Sequence, residues 1–356
     1  MRTIVCLVAV AVSLGPGRVQ AQTPEAAEHY RAGYELLKAR NYRNAAIELE
    51  QAVTLDSTYG AAHAALGMAF RALNDYPKAI AAYERARRLG AASGRLDAEL
   101  AQLYRKAGTE LFEQRKYAEA ASRYTAALAL EPNDARTLYA IGLCHNGLLD
   151  DQAAEQAFRR AVAVDPNYAK PLRALGDLYR RQRSYKAAAE QYTRAIAIDS
   201  TYMESYSGMA QVLLETKDLD GTVELMRRAV RIDPKYAEGF VYLGTALNRM
   251  GRHAEAVAPL TEATRLQPGN AEAHYRLGEA HYGRGAYREA MTAGQEAVRR
   301  QRSFHAAEVL LADASLKLGH TSQARSWYQQ AMQDTRFRDY CRHQLEALEQ
   351  GKTTDQ

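Results

Sequence analysis

A pattern of small residues that returns every 34 positions constrains this chain more than any other feature. A glycine ends a short apolar stretch at Gly33, Gly67, Gly108, Gly142, Gly176, Gly244 and Gly278. Most steps are 34 residues long, as from Gly108 to Gly142. A fixed period of this length is typical of stacked supersecondary units, because each unit buries its apolar face only against its neighbours.

The period divides the chain into nine repeats, which begin at residues 26, 60, 101, 135, 169, 203, 237, 271 and 305. Position 8 of each repeat is Gly or Ala, and position 27 is always Ala, as in Ala161 and Ala195. Position 24 is mostly large and apolar or aromatic, as in Phe158 and Tyr192. Apolar residues recur at helical spacing and do not alternate as in strands. Each repeat therefore predicts two helices that pack closely where small side chains face one another.

Short polar segments predict the breaks between these helices. Turn residues inside the repeats are expected at Asn41, Asn74, Gly147, Asp218 and Gly251. The step from residue 60 to residue 101 contains extra residues around GAASGRLD, residues 90–97. Two interpretations stay open: an insertion in a surface connection, or a register break that separates repeats 1–2 from repeats 3–9. Residues 339–350 predict a C-terminal capping helix, and residues 351–356 a disordered tail.

This pattern resembles the tetratricopeptide repeat over residues 26–338. The segment LGDLY at 175–179, followed by Ala188, Tyr192 and Ala195, carries the resemblance, although no repeat has the early Trp of the family. The resemblance implies that residues 22–350 form an all-α, right-handed α-α superhelical solenoid. It would contain about nine helix-turn-helix units and the capping helix. It also implies a concave groove that holds extended peptides or partner helices.

The first 21 residues have the layout of a secretory signal peptide. Arg2 precedes an apolar run from Ile4 to Leu14, and small residues precede a cleavage site after Ala21. The run is about half the ~20 residues that a spanning helix requires, so we expect no membrane span after cleavage. An uncleaved anchor is the alternative. The prediction is therefore a periplasmic or secreted protein.

Charge and composition exclude several classes of function. Loss of Arg2 and Arg18 with the signal peptide lowers the net charge from +5 to +3, too small an excess to predict nucleic-acid binding. Cys144 and Cys341 lie far apart and predict buried apolar thiols and not a disulfide scaffold.

The repeats and the cap leave no segment for a catalytic domain. The chain contains no phosphate-binding glycine loop, no H-E-x-x-H and no nucleophile elbow. His274 and His281 are about two helical turns apart, which is too far to share one metal ion. Tyrosines recur at fixed repeat positions, as in Tyr185 and Tyr202, and so predict packing. We predict no enzyme activity, no cofactor and no metal.

Function is expected where the repeats differ from one another. On each first helix, positions 2, 5, 9 and 12, with neighbours 6 and 13, form a variable stripe beside the packing positions. The candidate binding residues on this stripe are Arg105, Lys106, Arg136, Tyr139, Asn146, Lys170, Arg173, Arg180, Arg181, Tyr242, Arg249, Tyr275, Arg276 and Tyr282. Asp177 is one of the few acidic residues on the stripe in repeats 3–5. Repeat 6 has uncharged residues on its stripe, among them Ser207, Gln211 and Leu214.

A basic stripe in repeats 3–5 favours a partner with a carboxylate or another acidic group, since arginine binds such groups in bidentate fashion. The alternative is an ordinary solvated helix face. Some co-chaperones of the family hold a C-terminal carboxylate in a two-carboxylate clamp, which requires Lys at position 5, Asn at position 9 and Asn at position 6 of the next repeat. This clamp is disfavoured here, because Arg105 is followed by Thr109 and then by Ala140 at those positions. The leading prediction is a non-catalytic envelope scaffold that binds proteins or peptides. The second is a component of a polysaccharide or protein export machinery, in which Tyr275 and Tyr282 contact glycan. The partner's identity and the oligomeric state are not predicted.

Overall fold

The computed structural model describes residues 23–350, so the predicted signal peptide and C-terminal tail lie outside the described residues. All regular structure between residues 23 and 350 is α-helical, and the helices pack as successive pairs. The prediction of an all-α solenoid is therefore confirmed. The chain divides into two compact bodies, an N-terminal body through Val164 and a C-terminal body from Asp165.

The helices of the N-terminal body are α1 (Pro24–Lys38), α2 (Tyr42–Leu55), α3 (Gly60–Ala72), α4 (Tyr76–Arg88), α5 (Gly94–Glu113), α6 (Tyr117–Leu130), α7 (Ala135–Gly147) and α8 (Asp151–Val164). Those of the C-terminal body are α9 (Ala169–Arg181), α10 (Tyr185–Ile198), α11 (Met203–Glu215), α12 (Leu219–Ile232), α13 (Ala237–Arg249), α14 (His253–Leu266), α15 (Ala271–Gly283), α16 (Tyr287–Arg300), α17 (His305–Lys317), α18 (Thr321–Ala331) and α19 (Arg338–Glu349). From α1 to α18, each odd-numbered helix packs on the even-numbered helix that follows it. The last helix, α19, packs on α18.

Most pairs are held closely together by a small residue at position 8 under a large one at position 24, and Gly294 of α16 is the exception. A Cβ atom added to Gly142 would lie 2.4 Å from Cε1 of Phe158, and one added to Gly176 would lie 2.7 Å from Cε1 of Tyr192. Both distances are shorter than van der Waals contact, so any larger residue would push the helices apart. This contact is the physical reason for glycine at position 8 and a ring at position 24.

The turn inside each pair is closed by a residue with left-handed backbone geometry at position 15. These residues are Arg40, Asn74, Arg115, Leu149, Arg183, Lys217, Gly251, Gly285 and Gly319. Asn41 and Asp218 are helix N-caps that accept hydrogen bonds from backbone N–H groups of α2 and α12. The prediction that Gly147 lies in a turn is wrong, because it is the last residue of α7. The ring of Tyr117 covers it, 2.8 Å from the position of an added Cβ.

The extra residues at 90–97 lengthen α5 at its N-terminal end. Ser93 caps the helix by accepting a hydrogen bond from the Leu96 N–H at 3.2 Å, and Leu96 and Leu100 are buried. Leu100 belongs to the same hydrophobic core as Tyr83 of α4, so the helices on both sides of the extra residues pack together. The Tyr83 hydroxyl also donates to Glu99 at 2.6 Å. Leu96 therefore belongs to the core, whereas residues 92–95 are exposed.

The C-terminal end of the stack is covered by α19. Cys341 of this helix is fully buried in a core with Ala312 and Tyr328. Asp313 of α17 accepts hydrogen bonds from Tyr328 at 2.6 Å and from Tyr340 of α19 at 3.0 Å. The amphipathic pattern of α19 thus covers an apolar face of the last pair, as expected of a cap.

Candidate functional site

Two candidate residues of the N-terminal body, Arg105 and Lys106, contact side chains of their own body. Arg105 forms ion pairs with Glu131 and, at 3.4 Å, with Asp134, both just before α7. The Lys106 ammonium lies 3.7 Å from the centre of the Tyr76 ring. The charge of Arg105 is therefore largely compensated within the chain.

The other three candidates in this body differ in exposure. Arg136 is exposed near the start of α7. The Tyr139 ring lies 5.7 Å from the Phe158 ring, measured between ring centres, and Asn146 is half-buried. Arg136 is thus the most accessible of the three to a partner.

Three candidates of the C-terminal body line one pocket with a volume of about 360 Å³. Its lining residues are Arg173, Asp177, Arg180, Arg181, Glu204, Ser207, Gly208, Gln211 and Glu238. They come from α9, α11 and the first turn of α13, at stripe positions of repeats 5, 6 and 7. The structure therefore brings predicted basic residues together with residues that the sequence reasoning did not select.

Small residues of repeat 6 make room for this pocket. Ser207 and Gly208 occupy positions 5 and 6 of the repeat, where repeat 7 has Val241 and Tyr242. A Cβ added to Gly208 would lie 2.4 Å from the Tyr192 ring, so glycine also lets α11 approach α10. Two adjacent small residues on the stripe are a sequence signal for this pocket, although Ala64 and Ala65 of repeat 2 have it as well.

Acidic residues compensate the arginines of the first pocket. Arg173 donates to Asp177, and Nη1 of Arg180 lies 3.4 Å from Oε1 of Glu215. The Tyr192 hydroxyl donates to Asp177 Oδ1 at 2.6 Å. Burial and then the charge of Asp177 raise the pKa of Tyr192, so this hydroxyl stays protonated and remains a donor.

Two further glutamates give the pocket a negative side. Glu238 accepts a hydrogen bond from the Ser207 hydroxyl at 3.0 Å, and Ser207 also bonds to the Tyr236 hydroxyl. Glu204 is exposed on the first turn of α11. Arginine and carboxylate side chains therefore balance in the lining, and the pocket is not uniformly basic.

A second pocket of about 550 Å³ adjoins the first, because Glu238 lines both. Its lining residues are Leu214, Glu238, Val241, Tyr242, Thr245, Arg249, Gln267, Asn270, Glu272 and Arg276. Arg276 forms ion pairs with Glu272 at 2.7 Å and with Glu279 at 2.8 Å. Gln211 of the first pocket donates to the Tyr242 hydroxyl at 2.7 Å. Side chains of both pockets are thus directly connected.

Three candidates of the C-terminal body line neither pocket. Lys170 is exposed on α9. The Tyr275 hydroxyl donates to Glu279 at 2.7 Å, and its ring lies 5.1 Å from Phe304. Tyr282 packs edge-on against Tyr287, with ring centres 5.3 Å apart. Both tyrosine rings therefore have packing partners in the chain.

Between residues 23 and 350, no three His, Cys, Asp or Glu side chains are grouped so that they could hold a metal ion. No helix in the same range is long and apolar enough to cross a bilayer. Cys144 and Cys341 are buried free thiols, and burial raises the pKa of each to about 11.

The family model for the tetratricopeptide repeat matches residues 30–94, 105–169, 151–203, 173–237 and 243–306. No curated protein matches the chain.

Among solved structures, the C-terminal part of a tetratricopeptide repeat-containing protein from Cytophaga hutchinsonii is similar. Its TM-score is 0.52 at 14% identity, over 64% of this chain and 93% of that one. YrrB, described as a tetratricopeptide repeat protein with an unusual peptide-binding site, has a TM-score of 0.45 at 20% identity, over 52% of this chain and 96% of its own. MamA has a TM-score of 0.43 at 22% identity, over 48% and 92%. At these identities the likeness concerns the fold alone.

Proposed function

Since the chain belongs to the tetratricopeptide repeat family, we propose that it is a non-catalytic scaffold that binds partner proteins or peptides along the stripe of its first helices. One observation carries this proposal. In the C-terminal body, stripe residues of successive repeats line two adjoining pockets that share Glu238. Adjoining pockets across successive helices offer an extended segment several side-chain sites in a row.

An acidic group of the partner is proposed to contact the basic end of this surface on α9. Arg181 is exposed, and Nη1 of Arg180 lies 3.4 Å from Oε1 of Glu215. A carboxylate from a partner can therefore replace Glu215 and bind the guanidinium in bidentate geometry. Lys170, exposed at the other end of the same helix, offers a second positive charge.

The proposed location is the periplasm or the cell exterior. This part of the proposal depends on the sequence of residues 1–21, which lie outside the described residues. N-terminal sequencing of the mature protein from fractionated cells tests it, and the expected first residue is Gln22. An unprocessed N-terminus in the cytoplasmic fraction would contradict it.

The glycan-binding alternative receives less support than protein binding. Sugars stack on open aromatic faces, whereas Tyr275 packs against Phe304 and Tyr282 against Tyr287. The Tyr275 hydroxyl is also occupied by Glu279. Both tyrosines therefore have structural roles that explain their presence.

The test is affinity capture with the full chain from its native extract. The double variant Arg180→Ala/Arg181→Ala should lose the captured partner. The matched control Arg227→Ala/Arg228→Ala removes two exposed arginines of α12 and should retain it. Equal melting temperatures of the two variants show that both fold. Retention of the partner by the α9 variant would refute the proposed surface.

A further inference from the structure

The groove of the C-terminal body changes sign along position 2 of the repeats. Lys170 has this position in α9, whereas Glu204, Glu238 and Glu272 have it in α11, α13 and α15. A glutamate in the first turn also stabilises a helix through the helix dipole. Other repeats have Ala61 or Arg136 there, so this effect alone does not require glutamate.

The three glutamates face adjoining concave surfaces. Glu204 and Glu238 line the first pocket, and Glu238 and Glu272 line the second. The helices that carry them are packed neighbours, α11 on α13 and α13 on α15. The glutamates therefore form a row along one side of a continuous groove.

Charges inside the groove are compensated unequally. Arg173 pairs with Asp177, and Arg276 pairs with Glu279 as well as Glu272. In contrast, no lysine or arginine of the described residues forms an ion pair with Glu204 or Glu238. Glu238 is held instead by the neutral hydroxyl of Ser207 at 3.0 Å. A carboxylate with no cationic partner attracts a cation more strongly than one that is already paired.

The opposite side of the groove is mixed in sign. Position 13, eleven residues after position 2, has Arg181 and Arg249 in repeats 5 and 7 but Glu215 in repeat 6. At 1.5 Å per residue, the two sides are about 16 Å apart along the helices. An extended chain that lies between the two sides would direct its basic groups toward the glutamates of position 2.

The spacing of the helices selects a register for the basic groups. Packed helix axes lie about 8–10 Å apart. In a polyproline II segment every third residue returns to the same side after about 9.3 Å. Same-side residues of a β-strand return after about 6.6 Å, which does not match the helix spacing.

We propose that the partner is an extended segment with polyproline II geometry, whose Lys or Arg side chains at every third residue contact Glu204 and Glu238. This inference rests on the proposed function and adds the chemistry and register of the partner. The small residues Ser207 and Gly208 provide the space into which a long basic side chain extends between Glu204 and Glu238.

The probe is a labelled synthetic peptide with lysine at every third residue and proline and serine between. A peptide of the same composition with its lysines in one block tests the register, and a peptide with glutamate in place of lysine tests the sign. Binding to the full chain is measured by fluorescence anisotropy. The spaced lysine peptide should bind at least about tenfold more tightly than either control, a difference of about 1.4 kcal/mol.

The protein variants locate the contact. Glu204→Gln/Glu238→Gln should weaken the spaced peptide by about tenfold or more, since both substitutions keep the shape and remove the charge. The matched control Glu190→Gln/Glu224→Gln changes exposed glutamates on second helices and should leave binding unchanged. Equal binding of the spaced and blocked peptides, or an equal effect of the two double variants, would overturn the inference.

Capture of the native partner separates this inference from the proposed function. Loss of the partner from both Arg180→Ala/Arg181→Ala and Glu204→Gln/Glu238→Gln supports both proposals. Loss from the arginine variant alone overturns the inference and leaves the proposed function intact. Retention by both variants overturns both.

Discussion

Removing one oxygen atom from Tyr192 or from Tyr206 is expected to change the stability of the C-terminal body in opposite directions. Both side chains are fully buried. The Tyr192 hydroxyl donates to Asp177 at 2.6 Å. The Tyr206 hydroxyl has no hydrogen-bond partner among residues 23–350, and its core contains Ile196 and Met226.

The magnitudes follow from these environments. A hydrogen bond to a charged group contributes about 1.5–3 kcal/mol, and a buried polar group without a partner costs about 1–3 kcal/mol. Tyr192→Phe should therefore lower the free energy of unfolding by about 1.5–3 kcal/mol, while Asp177 keeps its contact with Arg173. Tyr206→Phe should raise it by about 1 kcal/mol. Each kcal/mol corresponds to about 2–4 °C in melting temperature for a body of this size.

Thermal and urea unfolding followed by circular dichroism measure both changes. Stacked repeats can unfold in segments, so the two variants must be compared in the same transition. This comparison is direct because both tyrosines belong to the C-terminal body. Equal destabilisation by both substitutions would show that the Tyr206 hydroxyl does have a partner and would refute the reasoning.

Four further predictions concern other sites. Ala195→Leu should overpack a fully buried position and lower the free energy of unfolding by about 1–3 kcal/mol in urea, whereas exposed Ala163→Leu should not. Leu149→Gly should raise the free energy of unfolding by up to about 1 kcal/mol, because leucine is strained at φ 61° and the chain entropy of glycine offsets part of the gain. An unchanged free energy of unfolding would contradict this. Cys144, whose pKa burial raises to about 11, should react with an alkylating reagent only after denaturant is added, and fast labelling of the folded protein would contradict this. Burial raises the pKa of Asp313 above 3.8. The contribution of its carboxyl group to the free energy of unfolding is therefore complete below about pH 4 and is lost as the pH rises through the folded pKa. The melting temperature of Asp313→Asn should rise relative to that of the wild type toward about pH 7, and a constant difference would refute this.

The architecture of the repeats could be predicted because its contacts are short-range in sequence. Gly142 and Phe158 belong to one helix pair, so a small residue and a large residue recur at fixed positions of the repeat. The prediction that Gly147 lies in a turn is wrong, although it also follows from residue type and local spacing. Glycine is common both in turns and under aromatic rings, and only the position of Tyr117 distinguishes the two uses.

The candidate site was predictable only in part. Arg173, Arg180 and Arg181 were selected because they vary on one helix face, and they do line one pocket. Glu204 and Glu238 were not selected, although they share position 2 of their repeats and complete that pocket. Their place in the pocket depends on how successive repeats stack, which the pattern along one helix does not show.

The sequence alone therefore determined the period, the helix pairs and the small residues on which close packing depends, because these follow from local spacing. The tertiary structure decided the charge of the groove. Arg180 is paired with Glu215 of the next repeat, and Glu238 reaches the pocket from α13. Coulomb interactions depend on the distance between atoms and not on separation along the chain, so the balance of charge appears only when successive repeats are stacked.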